Sequence, residues 1–142
     1  MKIRSLMTSP AISISPEESV AVASRTLTHY NVGMLPVCDP SGALQGVLTD
    51  RDIVTRCLAG GRDPLKTSVR DIMTSQVRSV DPNMEVSAAA HLMGAQQIRR
   101  LPVVEKGKLC GLLTLGDLAA LEETNMDAAD ALAEITANIS SR

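Results

Sequence analysis

Aromatic side chains are almost missing from these 142 residues: there is no Phe, no Trp and a single Tyr, Tyr30. Proteins that grip single-stranded nucleic acid commonly stack bases on aromatic rings, so that class loses its usual platform. Net charge is scarce as well. A formal −2 supplies no excess of cations for a phosphate backbone, which again argues against a nucleic-acid partner. No apolar run approaches the roughly 18 residues that a membrane span needs, so no membrane partner is expected. Met1-Lys2-Ile3-Arg4-Ser5-Leu6-Met7 has neither the apolar stretch nor the small-residue cleavage site of a secretory signal. Three cysteines (Cys38, Cys57, Cys110) are odd in number and far apart, with no Cys-x-x-Cys and no His pair nearby. They fit reduced thiols in the cytoplasm, and neither a disulfide framework nor a metal site is expected. His29 and His91 read as ordinary surface or core residues.

What is present is aliphatic. The chain is 44% hydrophobic, and its core must come from Val, Ile, Leu, Met and Ala. The length suits one compact unit or two small halves sharing a core. Charge is unevenly spread, since residues 119–142 hold five acids (Glu122, Glu123, Asp127, Asp130, Glu134) against Arg142.

An internal repeat organises the chain. A shift of 66 places Arg4, Met7, Thr8, Ser9, Ser13, Pro16, Val20, Ala23, Leu35, Pro36 and Val37 on identical residues. After a one-residue deletion in the Asp39-Pro40-Ser41-Gly42 turn, a shift of 65 does the same for Gly42, Leu44, Gly46, Leu48, Thr49 and Asp52. Those 17 identities between residues 4–52 and 70–117 mark a tandem duplication. The expected division is residues 1–61, a linker over 62–68, residues 69–121, and an acidic helical tail over 122–142.

Each half predicts strand–helix–strand–strand–helix, an α/β arrangement. The extended pieces are Ala11–Ile14 and Val77–Val80. Ser15-Pro16-Glu17-Glu18 and Asp81-Pro82 carry the signals of a helix start. The first helix places Val20, Ala23, Leu27 and Tyr30 on one stripe, and its mate Val86, Ala89 (or Ala90) and Met93. Two strands follow in each half, Met34–Cys38 with Leu44–Thr49, then Leu101–Val104 with Leu109–Thr114. The second helices begin near Asp50 and Leu115, and the earlier one is expected to stop at Gly60-Gly61. One half of about 55 residues would be marginal alone, so the two are expected to pack about a pseudo-twofold axis with a ligand cleft at the seam.

The sharpest constellation is Gly46-Val47-Leu48-Thr49-Asp50-Arg51-Asp52, echoed by Gly111-Leu112-Leu113-Thr114-Leu115-Gly116-Asp117. Thr and Asp three apart at a strand-to-helix junction put a hydroxyl and a carboxylate on one side of the helix mouth. A carboxylate there can accept both hydroxyls of a ribose, and the adjacent amides favour an anion. The same spacing is also that of an ordinary capping box, and duplication copies caps too.

Met-Thr-Ser near each start, Leu35-Pro36-Val37 and Leu101-Pro102-Val103, and Gly-apolar-apolar-Thr-x-x-Asp together resemble the cystathionine β-synthase (CBS) domain. Two in tandem resemble a Bateman module, over residues 1–121. The resemblance implies a tandem CBS-domain pair that binds adenosine-containing ligands (AMP, ADP, ATP or S-adenosylmethionine) in clefts between the repeats. It implies ribose contacts from Asp52 and Asp117 with Thr49 and Thr114 beside them. It also implies that each Met-Thr-Ser segment serves the opposite repeat: Thr8, Ser9, Ala11 and Ile12 with Asp117, and Thr74, Ser75, Val77 and Arg78 with Asp52. An aliphatic adenine slot accords with the near absence of aromatics. Arg99 and Arg100, where the family often has a cation, are the candidate phosphate donors. Gly33 and Met34 stand at that register in the first repeat, and Arg51 has Gly116 as its mate.

The tail carries Leu118, Leu121, Asn125, Ala128, Leu132, Ile135 and Ile139 at spacings of three and four. Such a helix either lies on its own domain or helps pair two chains, and the family resemblance implies a homodimer. The chain has no nucleophile–base pair, phosphate-binding loop or metal cluster, so no enzyme and no required cofactor are expected. The expectation is a regulatory sensor acting on an unknown effector protein by conformational shift. The alternative is a structural interaction module without a physiological nucleotide.

Overall fold

The computed structural model describes residues 1–121 and 124–140, with side chains up to 137. Helices α1 (Val20–Tyr30), α2 (Asp50–Asp52), α3 (Val69–Ile72), α4 (Val86–Gln96), α5 (Leu115–Ala119) and α6 (Asn125–Ser140) accompany strands β1 (Met34–Cys38), β2 (Leu44–Thr49), β3 (Arg100–Glu105) and β4 (Lys108–Thr114). The strands form two two-stranded sheets, β1 with β2 and β3 with β4. The fold is mixed α/β. No helix among the described residues is long and apolar enough to cross a membrane.

Two compact units form, and neither is one repeat. The Asp117 unit gathers Met1–Ala11, Arg78–Lys106 and the chain from Cys110 on. The Asp52 unit gathers Ile12–Val77 and Gly107–Leu109. Each lead-in segment thus joins the repeat it does not belong to by sequence, and matched hydrogen bonds fasten it. In the Asp52 unit, Val69 N donates to Glu18 O (2.8 Å), Arg70 N to Pro16 O (2.9 Å) and Val20 N to Thr67 O (2.9 Å). In the Asp117 unit, Ile3 N donates to Met84 O (3.0 Å), Arg4 N to Pro82 O (2.9 Å) and Val86 N to Met1 O (2.9 Å).

Two sequence expectations about the first helices are corrected. The carbonyls of Pro16 and Glu18 are taken by the lead-in, so residues 15–18 form a turn and α1 begins at Val20. Its cap is Ser19, whose hydroxyl accepts from Val22 N at 3.1 Å. Ser15 Oγ accepts only from Glu17 N, at 3.2 Å. Likewise Asp81 accepts from Asn83 N at 2.8 Å, and α4 waits until Val86. Tyr30 is the other correction. It lies 48% exposed, edge-on to His29, because α1 ends there on left-handed Asn31 (φ 52°). Gln97 (φ 57°) ends α4 in the same way.

The predicted first strand of each repeat is reduced to one residue. Ile14 bridges Val37 and Val80 bridges Val103, both in parallel. The bonds again match: Ile14 N to Pro36 O and Val80 N to Pro102 O, each 3.0 Å. Proline is tolerated within these strands because its carbonyl is what the neighbour needs and its missing N–H is not.

The two cores are built from repeat-equivalent residues. Ile14, Val20, Ala23, Leu27, Leu35, Val37, Leu48, Ile53 and Val69 pack with Ile72 and Cys57 in the Asp52 unit. Val80, Val86, Ala89, Met93, Leu101, Val103, Leu113, Leu118 and Ile3 pack with Ala90, Ala128 and Ala131 in the Asp117 unit. After α2 the chain continues as a π-helical stretch, Ile53–Leu58, ending before Gly61 at φ 73°. By contrast α5 is five residues long, and α6 packs back on α4 and α5. A Cβ on Gly94 would stand 3.3 Å from Ala131 Cα, a tight contact, so the α4–α6 crossing is close at that point.

Thus α6 lies on its own unit, with Ala128, Ala131 and Ile135 buried. Leu121 and Leu132, two positions of the expected seam, are 38% and 41% exposed. The Ile139 side chain, Glu122, Glu123 and Arg142 lie outside what the structure describes.

Candidate functional site

Each second helix opens on the capping box that its spacing permits. Thr49 Oγ1 accepts from Asp52 N (3.0 Å), and Asp52 Oδ2 accepts from Thr49 N (3.1 Å). Thr114 Oγ1 accepts from Asp117 N (3.1 Å), and Asp117 Oδ2 accepts from Thr114 N (2.9 Å). Both carboxylates are therefore helix caps. Each box engages one oxygen, and a carboxylate has about four acceptor sites, so capping leaves capacity on both.

Beside each box runs a Met-Thr-Ser segment. Thr74 exchanges two backbone bonds with Val47 (both 2.9 Å), and Thr8 does so with Leu112 (2.9 and 3.0 Å). The preceding glycine makes this possible. A Cβ on Gly46 would collide with the Thr74 carbonyl oxygen, and one on Gly111 would lie 2.6 Å from Met7 Sδ and 2.9 Å from Thr8 O. Glycine here is a matter of close approach, since neither residue needs a positive φ.

The structure therefore brings Thr74 to Asp52 and Thr8 to the strand that leads into Asp117. Thr74 Oγ1 donates to Asp52 Oδ2 at 3.4 Å. Ser75 is exposed and Val77 half-buried in the Asp52 unit. Arg51 is exposed on α2. In the Asp117 unit, Ser9 Oγ donates to Cys110 O at 2.8 Å. The Arg99 carbonyl accepts Leu115 N at 2.8 Å, as Gly33 O accepts Asp50 N at 3.1 Å. Arg99 and Arg100 are both exposed, at the entry to β3. Ile12 falls in the Asp52 unit and Arg78 in the Asp117 unit, so each is grouped apart from the acid it was expected to serve.

One residue escaped the sequence reading. Arg56 Nε lies 3.8 Å from Asp52 Oδ1, and its Nη1 donates to the carbonyls of Ile72 and Met73, each at 3.2 Å. The signal was available: Arg56 aligns with Leu121, a cation against an aliphatic four residues after each motif acid.

Among the described residues no group of three His, Cys, Asp or Glu is placed to hold a metal ion. All three cysteines are free thiols, Cys38 and Cys57 buried and Cys110 partly so. Desolvation raises the Cys38 and Cys110 thiols above their ordinary 9.0, which leaves little nucleophilic thiolate at neutral pH.

The family model for the CBS domain matches twice, at residues 3–59 and 69–123. The chain belongs to the CBS-domain family. Its tandem repeats are two CBS domains, and the comparisons extend over most of its length. It is 40% identical to the CBS domain-containing protein YhcV of Bacillus subtilis over 134 residues, 94% of each chain. A solved structure of hypoxic response protein I, which carries two coordinated zinc ions, superposes with a TM-score of 0.78 at 30% identity. That match covers 84% of this chain and 98% of the other. The CBS pair of protein MJ0100, solved with 5′-methylthioadenosine and S-adenosyl-L-methionine, gives a TM-score of 0.77 at 26% identity. It covers 88% of this chain and 98% of that one.

Proposed function

We propose that this CBS-domain pair is a non-catalytic regulatory module that binds adenosine-containing ligands: AMP, ADP, ATP or S-adenosylmethionine. The observation that carries the reading is the pair of junctions at which one carboxylate oxygen is fixed by its own cap and a Met-Thr-Ser segment is paired alongside. A ribose diol would donate to the remaining oxygen of Asp52 or Asp117, with Thr49 or Thr114 beside it. Thr8, Ser9, Thr74 and Ser75 would meet the base edge through hydroxyl and backbone groups. Ile12 and Val77 would supply aliphatic contact. Arg99, Arg100 and Arg51 would take phosphate oxygens, since guanidinium forks suit them. The adenosyl compounds held by MJ0100 support this ligand class.

The ligand would act by population shift, which requires different affinity for the two states of the protein. Its output would pass to an effector protein in the cytoplasm, with the module working as a homodimer. The capping boxes themselves favour a second reading, a structural interaction module in which Asp52 and Asp117 only start helices.

A melting screen decides between them. At 100 times its dissociation constant a ligand stabilises by about 2.7 kcal/mol, which is readily seen. AMP, ADP, ATP and S-adenosylmethionine are each tested on wild type, Asp52→Asn and Asp117→Asn, where the amide oxygen still caps. At least one substitution should sharply reduce the largest response in a folded protein. Undiminished responses in both, or none with wild type, would leave the structural reading.

A further inference from the structure

The two motif acids sit in different company. Asp52 is 8% exposed, and its Oδ2 receives both the Thr49 amide and the Thr74 hydroxyl. Its Oδ1 faces the Arg56 guanidinium, which is itself anchored on the carbonyls of Ile72 and Met73. One arginine thus ties the π-helical stretch to the carboxylate and to the segment that enters Thr74. Asp117 is half-buried and, among the described residues, receives side-chain bonding only from Thr114 N. At the registers of Arg56 and Arg51 stand Leu121 and Gly116, neither of which can reach a carboxylate with a cation.

This difference decides what each acid can still accept. A vicinal diol binds a carboxylate by donating both of its hydroxyl protons, so it needs open lone pairs and an unneutralised charge. Asp117 offers both. At Asp52 the half-exposed guanidinium lies 3.8 Å from Oδ1, the oxygen a second donor would need, and offsets part of the charge that would attract it. We infer that Arg56 is a positioning residue that commits Asp52 to holding the Ile72–Thr74 segment, and that Asp117 is the one diol acceptor of the chain. The inference rests on the adenosyl-binding reading above and narrows it from two equivalent sites to one.

Isothermal titration of the full chain tests it, with AMP and S-adenosylmethionine as separate probes. Wild type should bind the active probe at about one per chain, and Asp117→Asn should weaken it by about tenfold or more, the loss of a charged hydrogen bond. Arg56→Leu, which imports the residue of the second repeat, should raise the count to about two. Adding Asp52→Asn to Arg56→Leu should return it to one, whereas Arg56→Lys, which keeps the charge, should hold it at one. A merely structural arginine would change melting without changing stoichiometry. If Arg56→Leu does not fold, Arg56→Gln takes its place in both variants. Two equal sites in wild type, binding that survives Asp117→Asn, or a single site in folded Arg56→Leu would overturn the inference. No heat from either probe with wild type and the folded Arg56 variants would instead overturn the adenosyl reading itself.

Discussion

The Asp52 unit and the Asp117 unit reach the same core by different routes. In the first, the second helix runs on through the π-helical Ile53–Leu58 and buries Cys57 completely. In the second, α5 stops at Ala119, Thr124 Oγ1 closes on Leu118 O at 2.5 Å, and α6 supplies Ala128 and Ala131 instead. The lesson is that duplication preserves what must be buried before it preserves what buries it. The same divergence alters chemistry, because the extension that carries Cys57 also carries Arg56, and the helix that replaces it brings no cation to Asp117. π-helical turns in other proteins recur at functional positions, and here one delivers the guanidinium.

Removing α6 should break the comparison most severely. A chain ending at Thr124 loses the cover of Ala128, Ala131 and Ile135, an apolar burial on the order of 3–5 kcal/mol. Hydrogen exchange should then show α4 amides opening while those of α1 keep their protection. Equal protection in α4 would mean that α6 contributes nothing to its own unit.

The glycines come next. Gly46→Ala should cost about 1–3 kcal/mol in urea unfolding, as overpacking against backbone does. Gly111→Ala should cost less, because its backbone neighbour, Thr8 O at 2.9 Å, is less close than Thr74 O is at Gly46, and the Met7 thioether can move aside. A reversed order would contradict the tighter approach at Gly46.

Cap substitutions sharpen the contrast. Thr49→Ala and Thr114→Ala should each lower stability by about 1 kcal/mol, equally, since the boxes match. Asp52→Ala should exceed Asp117→Ala by about another 1 kcal/mol, because it also removes the acceptor of the Thr74 hydroxyl and the carboxylate beside Arg56. Identical losses, measured by thermal melting, would show that the Arg56 contact has no energetic consequence.

The smallest effect is alkaline. Burial raises the Cys38 thiol above 9.0, so the folded state holds its proton where the unfolded chain releases it. Stability from this group is complete below the unfolded value and falls as pH rises through the folded one. Cys38→Ala should flatten that decline, and Cys110→Ala should do the same in the other unit, where desolvation again raises the thiol. Unchanged alkaline curves would remove thiol burial as the cause.

Much of this was legible in the residues, and the reasons differ from place to place. The repeat register was sufficient to match Leu35 with Leu101 and Val37 with Val103, because the Leu-Pro-Val run is identical in the two copies. The Thr-x-x-Asp spacing gave the capping boxes outright, since their bonds are local. The starts of the first helix in each repeat were not legible, whereas those at Asp50 and Leu115 were. Ser15-Pro16 is a good N-terminal signal, and it lost to backbone bonds from Val69 and Arg70, which no local pattern announces. Tyr30 satisfied the helical stripe but fell at its last residue, where the chain turns through Asn31. Arg56 was not legible from the repeat itself, because its importance lies in what the two repeats do not share: a cation in one copy stands against Leu121 in the other.

The exchanged lead-in has a consequence for how the chain is made. Ile3 and Arg4 meet Met84 and Pro82, and Ser9 meets Cys110 across 101 positions, so the amino-terminal segment finds its partners only once the second repeat is being made. Such pairings carry a high contact order and slow the search for them. A cut in the 62–68 linker would yield two fragments, each lacking its own edge and carrying the other's, so that neither should be a stable domain unless the two are mixed.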